Sequence, residues 1–348
     1  MTPRRPTPGG PDRRLAVVIP AWRVRHFAAA LGSLRAQTDR RFRVYIGDDA
    51  GPDDLRALAA EAARDLDLVY HRFPANLGST DLVAHWHRCI ALTGDEPWLW
   101  LFSDDDLADP DCVAAFHHHL DAGEDPARLL RFDLAVIDDA GAVIEIPEAH
   151  PEHETAPELM AAMLSPTRRK WRAPDHVFAR SIYDEAGGFV PLPRALCSDT
   201  ATWIRFARPG GVRQLRGPRV RWRQHPAGLS SGHRASSRDD ARFAANRAAW
   251  LRAIAGFCAW CRTELRHYPV DTRAALAPLI PAFHRRILHR LDPPLSWREL
   301  PAVAAQAAPV VGGRARAWWL VSRLTLRVNA RRLPGLQTLA RHRLRRAA

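Results

Sequence analysis

Three carboxylates in a row, Asp104, Asp105 and Asp106, follow the apolar run Trp98–Phe102 after the single residue Ser103. Adjacent carboxylates repel one another unless solvent or a cation compensates. Their hard oxygens suit Mg²⁺ or Mn²⁺, ions commonly held by one or two carboxylates together with substrate phosphates. Three earlier apolar runs also end in polar or aromatic groups: Trp22 after the first, Asp48 and Asp49 after the second, and Asn76 after the third. Trp22 offers a face on which a base can stack, and Asp49 a carboxylate able to accept the imide N–H of a uracil or thymine ring. The plainer alternatives are a core tryptophan, a helix-capping aspartate and a solvated acidic turn before Pro110. Neither a G-x-G-x-x-G nor a Walker A loop follows the first run, so phosphate has to be held another way, with a metal on the aspartates the obvious means.

These residues take their meaning from the elements that carry them. Leu15–Pro20 reads as a strand, and Phe27–Gln37 as a helix through Phe27, Leu31 and Leu34. Strands at Phe42–Ile46, Leu68–Phe73 and Trp98–Phe102 then alternate with helices at Asp53–Ala63 and Ser79–Leu92. Such alternation predicts a mostly parallel sheet covered by helices on both faces, and ligands bind such sheets beyond the carboxyl ends of the strands. Beyond Leu120 the order loosens. The sequence predicts a hairpin of Arg128–Val136 with Ala142–Ile146, a helix at Arg180–Ala186 stopped by Gly187–Gly188, a helix at Asp199–Ala207, and strands at Val212–Leu215 and Val220–Arg223. From about Ser236 the chain is helical in pattern and rich in arginine.

In order and spacing, the segments VVIPAW, SLRAQTDRRFRVYIGDDAGPDD, ANLGS, HRCIALTGDEPWLWLFSDDDLADPD, YDEAGGF, SDTATWIRFA and RWRQHPAGLS resemble glycosyltransferase family 2 over about Leu15 to Ser231. The resemblance implies a GT-A fold: α/β, Rossmann-like, with an α-helical C-terminal appendage here. The implied division is a tail at 1–14, a glycosyltransferase domain at 15–235 (a nucleotide-binding half 15–125 and an acceptor half 126–235), and a basic helical region at 236–348. It also implies an inverting transfer of a sugar from a nucleotide diphosphate, with a UDP-sugar expected, to a saccharide or lipid-linked acceptor in cell-surface polysaccharide synthesis. Aligned on Pro110, the family's DxD motif puts the metal ligand at Asp105 with Asp106 beside it, and Asp104 next to the ribose or metal; Ser103 stands where many members carry the first aspartate. Trp22 and Asp49 match the family's base-binding positions. Asp199 matches its catalytic base, with Ser198 in place of the usual Glu and a plain helix cap as the competing explanation. Arg223 and His225 resemble a late loop over the diphosphate, which charge complementarity favours.

Composition narrows the alternatives. At 348 residues with 47% apolar and 26% charged side chains, the chain has the balance of a globular protein of about two structural units. Met1–Arg14 lacks the apolar stretch of a signal peptide and no window reaches the roughly 18 apolar residues of a spanning helix, so a cytoplasmic protein is expected. Five scattered cysteines fit a reducing compartment; Cys258 and Cys261 form a lone CxxC that reads as helix packing, and consecutive His117, His118 and His119 point in different directions on a helix. The net charge of +13 is almost all arginine, Lys170 being the single lysine. A nucleic-acid-binding protein would interleave basic and aromatic residues on one surface, whereas these arginines spread along the chain, so no nucleic acid is expected. A sugar nucleotidyltransferase needs a Gly-rich, lysine-bearing loop that Trp22–Arg25 does not supply. The tail around Arg314, Arg316, Arg323, Trp318 and Trp319 reads in two ways: as a helix lying at the inner face of an anionic membrane, or as one docked on the catalytic domain.

Overall fold

The computed structural model describes residues 14–123, 127–224, 240–289 and 299–330. The chain divides into two compact units, 1–191 with 198–225, and 192–197 with 226–348. The domain border expected at 235/236 lies outside the described residues.

The first unit is built on one sheet. Its strands are β1 (Leu15–Ala21), β2 (Phe42–Asp48), β3 (Leu68–Arg72), β4 (Trp98–Leu101), β5 (Leu107–Ala108), β6 (Leu129–Ile137), β7 (Val143–Glu145), β8 (His153–Glu154), β9 (His176–Ala179) and β10 (Val212–Arg223). They are ordered β3-β2-β1-β4-β9-β6-β10-β5, with β7 on β6 and β8 on β10. Leu15 to Ile19 are fully buried because β1 is central and covered on both faces, the pattern of a parallel strand. The β3-β2-β1-β4 block is parallel, and so is the β6-β10 pair. Between them β9 runs antiparallel to both β4 and β6, which makes the whole sheet mixed. The two segments expected as separate strands at 212–215 and 220–223 are one strand, bent where its register against β6 shifts between Leu215 and Arg219, with Gly217 at φ +105°.

The helices of this unit are α1 (Phe27–Arg35), α2 (Arg56–Ala62), α3 (Leu82–Ile90), α4 (Cys112–Ala122), α5 (Ala156–Leu164), α6 (Arg180–Glu185) and α7 (Ser198–Phe206). In α1, Phe27, Ala30, Leu31 and Leu34 are the buried residues, the 3–4 spacing of one face laid on the sheet. The start of α3 is fixed by Asp81, whose carboxylate accepts the Ala84 N–H (2.9 Å), and that of α5 by Glu158, which accepts the Thr155 N–H (2.8 Å). The core of this side joins Trp100, Phe102, Phe116 and Phe132. Within α4, His117 is buried and bonded to the Arg41 carbonyl (2.9 Å).

The second unit is helical: α8 (Asp240–Glu264), α9 (Val270–Leu276), α10 (Leu279–His289), α11 (Leu300–Val311) and α12 (Arg314–Ala330). Leu251 of α8, Leu288 of α10, Val303 and Ala307 of α11, and Ala317 and Val321 of α12 share one core. Gly312 and Gly313, at φ +84° and +134°, turn α11 into α12 within two residues. Cys258 and Cys261 are buried free thiols in α8, and burial raises both above the ordinary range. Among the described residues no helix is long and apolar enough to cross a membrane.

Candidate active site

Because β4 and β6 are both antiparallel to β9, they run in the same direction as β1, β2 and β10. All five therefore end on one edge of the sheet, and the loops leaving that edge are laced together by named bonds. The carboxylate of Asp104 accepts the main-chain N–H groups of Trp22 (2.8 Å) and Arg23 (3.3 Å), so the loop after β4 fixes the loop after β1. On the other side Arg223, at the end of β10, donates its N–H to Asp106 (2.7 Å) and its Nε to the Asp105 carbonyl (2.8 Å). Its Nη1 reaches the carbonyls of Asp138 (2.7 Å) and Asp139 (3.0 Å) in the turn after β6. Asp139 in turn pairs with Arg25 and with His26 (3.0 Å). The acidic loop 103–106 is thus held from both flanks by main-chain contacts.

The electrostatics of that loop are unsettled by its own chain. Burial, and then Asp105, push the Asp104 carboxyl up to about 6. The same two causes raise Asp106 well above the usual carboxylate range, opposed by the Arg223 N–H and the Ser103 hydroxyl. Asp106 is 1% exposed, and its Oδ2 is buried with no hydrogen-bond partner. An orphaned carboxylate oxygen next to another carboxylate is the situation a hard divalent cation relieves. Among the described residues no three His, Cys, Asp or Glu side chains converge on one point. What the loop offers is a partial shell, which suits an ion whose remaining positions are filled by water and phosphate oxygens.

Asp49, at the end of β2, is organised differently. Its oxygens accept the N–H groups of Leu77 (2.8 Å) and Gly78 (2.8 Å), the Asn76 amide (2.8 Å), and the guanidinium of Arg88. A carboxylate has about four lone-pair sites, so a base could bond to this one only by displacing a donor. In the structure Asp49 and Asn76 shape the loop after β3. Trp22 is 38% exposed, with the Arg23 guanidinium 4.4 Å from its ring centre. Close approach of the neighbouring loop demands glycine at 51, where a Cβ would lie 2.0 Å from the Trp22 carbonyl oxygen.

Asp199 occupies the first turn of α7 and accepts the Thr200 N–H (2.7 Å). Burial raises it, and the nearby Asp175 adds to the shift, while Arg172 and His176 oppose it. Those three neighbours carry no motif and were not foreseen. His176 pairs with Asp175 through Nδ1 and stacks on Trp203 (4.5 Å, 13° between planes). Arg172 lies with its guanidinium 4.0 Å from the Trp222 ring centre, and the Trp203 indole N–H donates to its carbonyl (3.3 Å). Arg172 thus stacks beside Arg223, which holds the acidic loop, and is bonded to α7, while the charges of Asp199, Asp175, Asp106 and Glu145 act on it against the effect of burial. Glu145 also pairs with Lys170 (2.5 Å). Gly188, at φ +85°, packs where a Cβ would lie 2.2 Å from the His87 ring, a structural demand that accounts for the GGF turn. His225 lies outside the described residues. Arg223, expected over a diphosphate, has its Nε and Nη1 committed to carbonyl oxygens.

A mixed α/β sheet with helices on both faces and an acidic loop on its carboxyl edge defines a GT-A type fold. Residues 16–133 match the family described as Glycosyl transferase family 2, which supports a glycosyltransferase. No curated protein matches the chain. Among solved structures, S. aureus TarS 1-349 is 12% identical over 89% of this chain and 90% of that chain, with a TM-score of 0.52. The same protein in complex with UDP-GlcNAc aligns with a TM-score of 0.54 at the same identity and coverage. The mannosyltransferase PcManGT from Pyrobaculum calidifontis, in complex with GDP-Man and Mn²⁺, is 14% identical over 94% of this chain and 90% of that chain, with a TM-score of 0.47.

Proposed function

We propose that this glycosyltransferase moves a sugar, with inversion, from a UDP-sugar to a saccharide or lipid-linked acceptor in cell-surface polysaccharide synthesis. The observation that carries this reading is that Arg172 stacks on Trp222, the neighbour of the Arg223 that holds Asp105 and Asp106, while its carbonyl is held by Trp203 of α7, the helix whose first turn carries Asp199. The acidic loop is suited to a cation and phosphate, Asp199 to taking a proton. Mg²⁺ or Mn²⁺ held by Asp105 and Asp106 would neutralise charge on the departing diphosphate. Asp199 accepts the proton of the acceptor hydroxyl as its oxygen attacks the anomeric carbon and the bond to the phosphate oxygen breaks. Trp22 stacks on the base, Asp104 holds the Trp22 loop against the ribose side, and Asp49 with Asn76 frames the base pocket. The UDP-GlcNAc bound by TarS supports placing UDP first among donors.

Thermal shift with UDP, GDP, dTDP and their sugars, each with and without Mn²⁺, tests this. A ligand at a hundredfold its dissociation constant adds about 2.7 kcal/mol to stability, so one base class should stabilise the protein, and more strongly with the metal. Stabilisation by none of them, or by all equally without metal, overturns the reading.

A further inference from the structure

Half-buried Arg172, whose Nε is fully buried, differs from the buried Arg131 in having no ion-pair partner among the described residues. Arg131 pairs with Glu154 (3.0 Å), and Arg223 is bonded to three main-chain carbonyls. Arg172 donates Nη1 to the Trp171 carbonyl (2.6 Å), and its Nε is buried without an acceptor. No acceptor for its Nη2 and no carboxylate within ion-pair reach are found among the described residues, although four carboxylates act on it from farther away. Burial draws its guanidinium below the ordinary arginine range. A desolvated guanidinium with unmet N–H donors costs free energy unless an anion meets it. Its position is nevertheless fixed. The guanidinium stacks on Trp222, and its backbone is held by Asp175, which accepts the Arg172 N–H (3.3 Å), and by the Trp203 indole.

We propose that Arg172 is the cation that binds the diphosphate of the donor and stabilises it as it leaves, the place that Arg223 cannot fill with its Nε and Nη1 already committed. This rests on the donor reading above. A planar guanidinium with two unmet N–H directions suits two oxygens of a phosphate. Lys170, the single lysine, is paired with Glu145 and offers no substitute. Stacked on the residue next to Arg223, which holds the acidic loop, and bonded to Trp203 of the Asp199 helix, Arg172 is placed for the charge that builds on the phosphate oxygen as the sugar departs.

The test compares nucleoside diphosphates with the matching nucleosides by calorimetry on the full chain, using UDP, GDP and dTDP in Mn²⁺ against uridine, guanosine and thymidine. In Arg172→Met the diphosphate that binds wild type should weaken about ten- to a hundredfold, the range for a lost charge-assisted hydrogen bond, while its nucleoside changes less than about twofold. Arg172→Lys, which keeps the charge and fits the same space, should fall between wild type and Arg172→Met, and it decides the matter if the methionine variant does not fold. Equal weakening of diphosphate and nucleoside overturns the proposal. So does unchanged diphosphate affinity with a displaced pH profile of turnover, since that would make Arg172 a partner of Asp199. A wild-type chain that binds none of the three diphosphates overturns the donor reading as well.

Discussion

Asp199 shows how one side chain can start a helix and still be suited to the base role proposed for it. Its bond to the Thr200 N–H is the ordinary work of a first-turn aspartate, yet burial and Asp175 raise it toward the range in which a carboxylate accepts a proton usefully. We expect Asp199→Asn to keep nucleotide binding and lose about two to four orders of magnitude in turnover, the usual contribution of a general base. Calorimetry alongside initial rates checks this, and parallel loss of both would make the residue structural. Below the raised value the wild-type carboxyl is protonated, so turnover should climb as the pH rises through it. The acidic residues were legible because they interrupt apolar runs. Arg172, Asp175 and His176 were not, since WRAPDH has no periodicity and its residues acquire partners only when α7 and β10 pack against them. Arg223 was legible as a position but not as a staple, because main-chain carbonyl acceptors leave no trace in side-chain identity.

The elements divide along the same line. α1 and β1 were readable because packing on a sheet imposes spacings of three to four and of uninterrupted apolar runs. β9, four residues long, passed unnoticed, although it turns a parallel sheet into a mixed one. β10 was read as two strands because the segment around Gly217 looks like a turn, whereas the sheet absorbs it as a bulge. In the helical unit, α10 carries His284, 2% exposed and held by burial alone at about 4, against an ordinary value of 6.5. Between those two values the unfolded chain binds more protons than the folded one, so the histidine leaves stability untouched above pH 6.5 and erodes it as the pH falls toward 4. His284→Leu should therefore lose fewer degrees of Tm than wild type between pH 7 and pH 5. Identical losses in scanning calorimetry would show that His284 is not a source of acid sensitivity.

At the scale of the whole molecule, we expect the charge of +13 and the exposed pair Trp318 and Trp319, 46% and 62% accessible, to draw α12 to an anionic surface. Exposed Arg314, Arg316 and Arg323 share α12 with them, and each basic residue near such a surface contributes about 1 kcal/mol. Replacing both tryptophans by serine should abolish flotation with anionic liposomes at low salt, and full-length protein that ignores those liposomes would sink the idea. The single lysine has a different use. Lys170, in its ion pair with Glu145, lies two residues along the chain from Arg172. An amine-reactive acyl reagent finds one lysine side chain in the whole chain. Peptide mass mapping of that one modification thus reads out occupancy of the neighbouring region without any engineered tag.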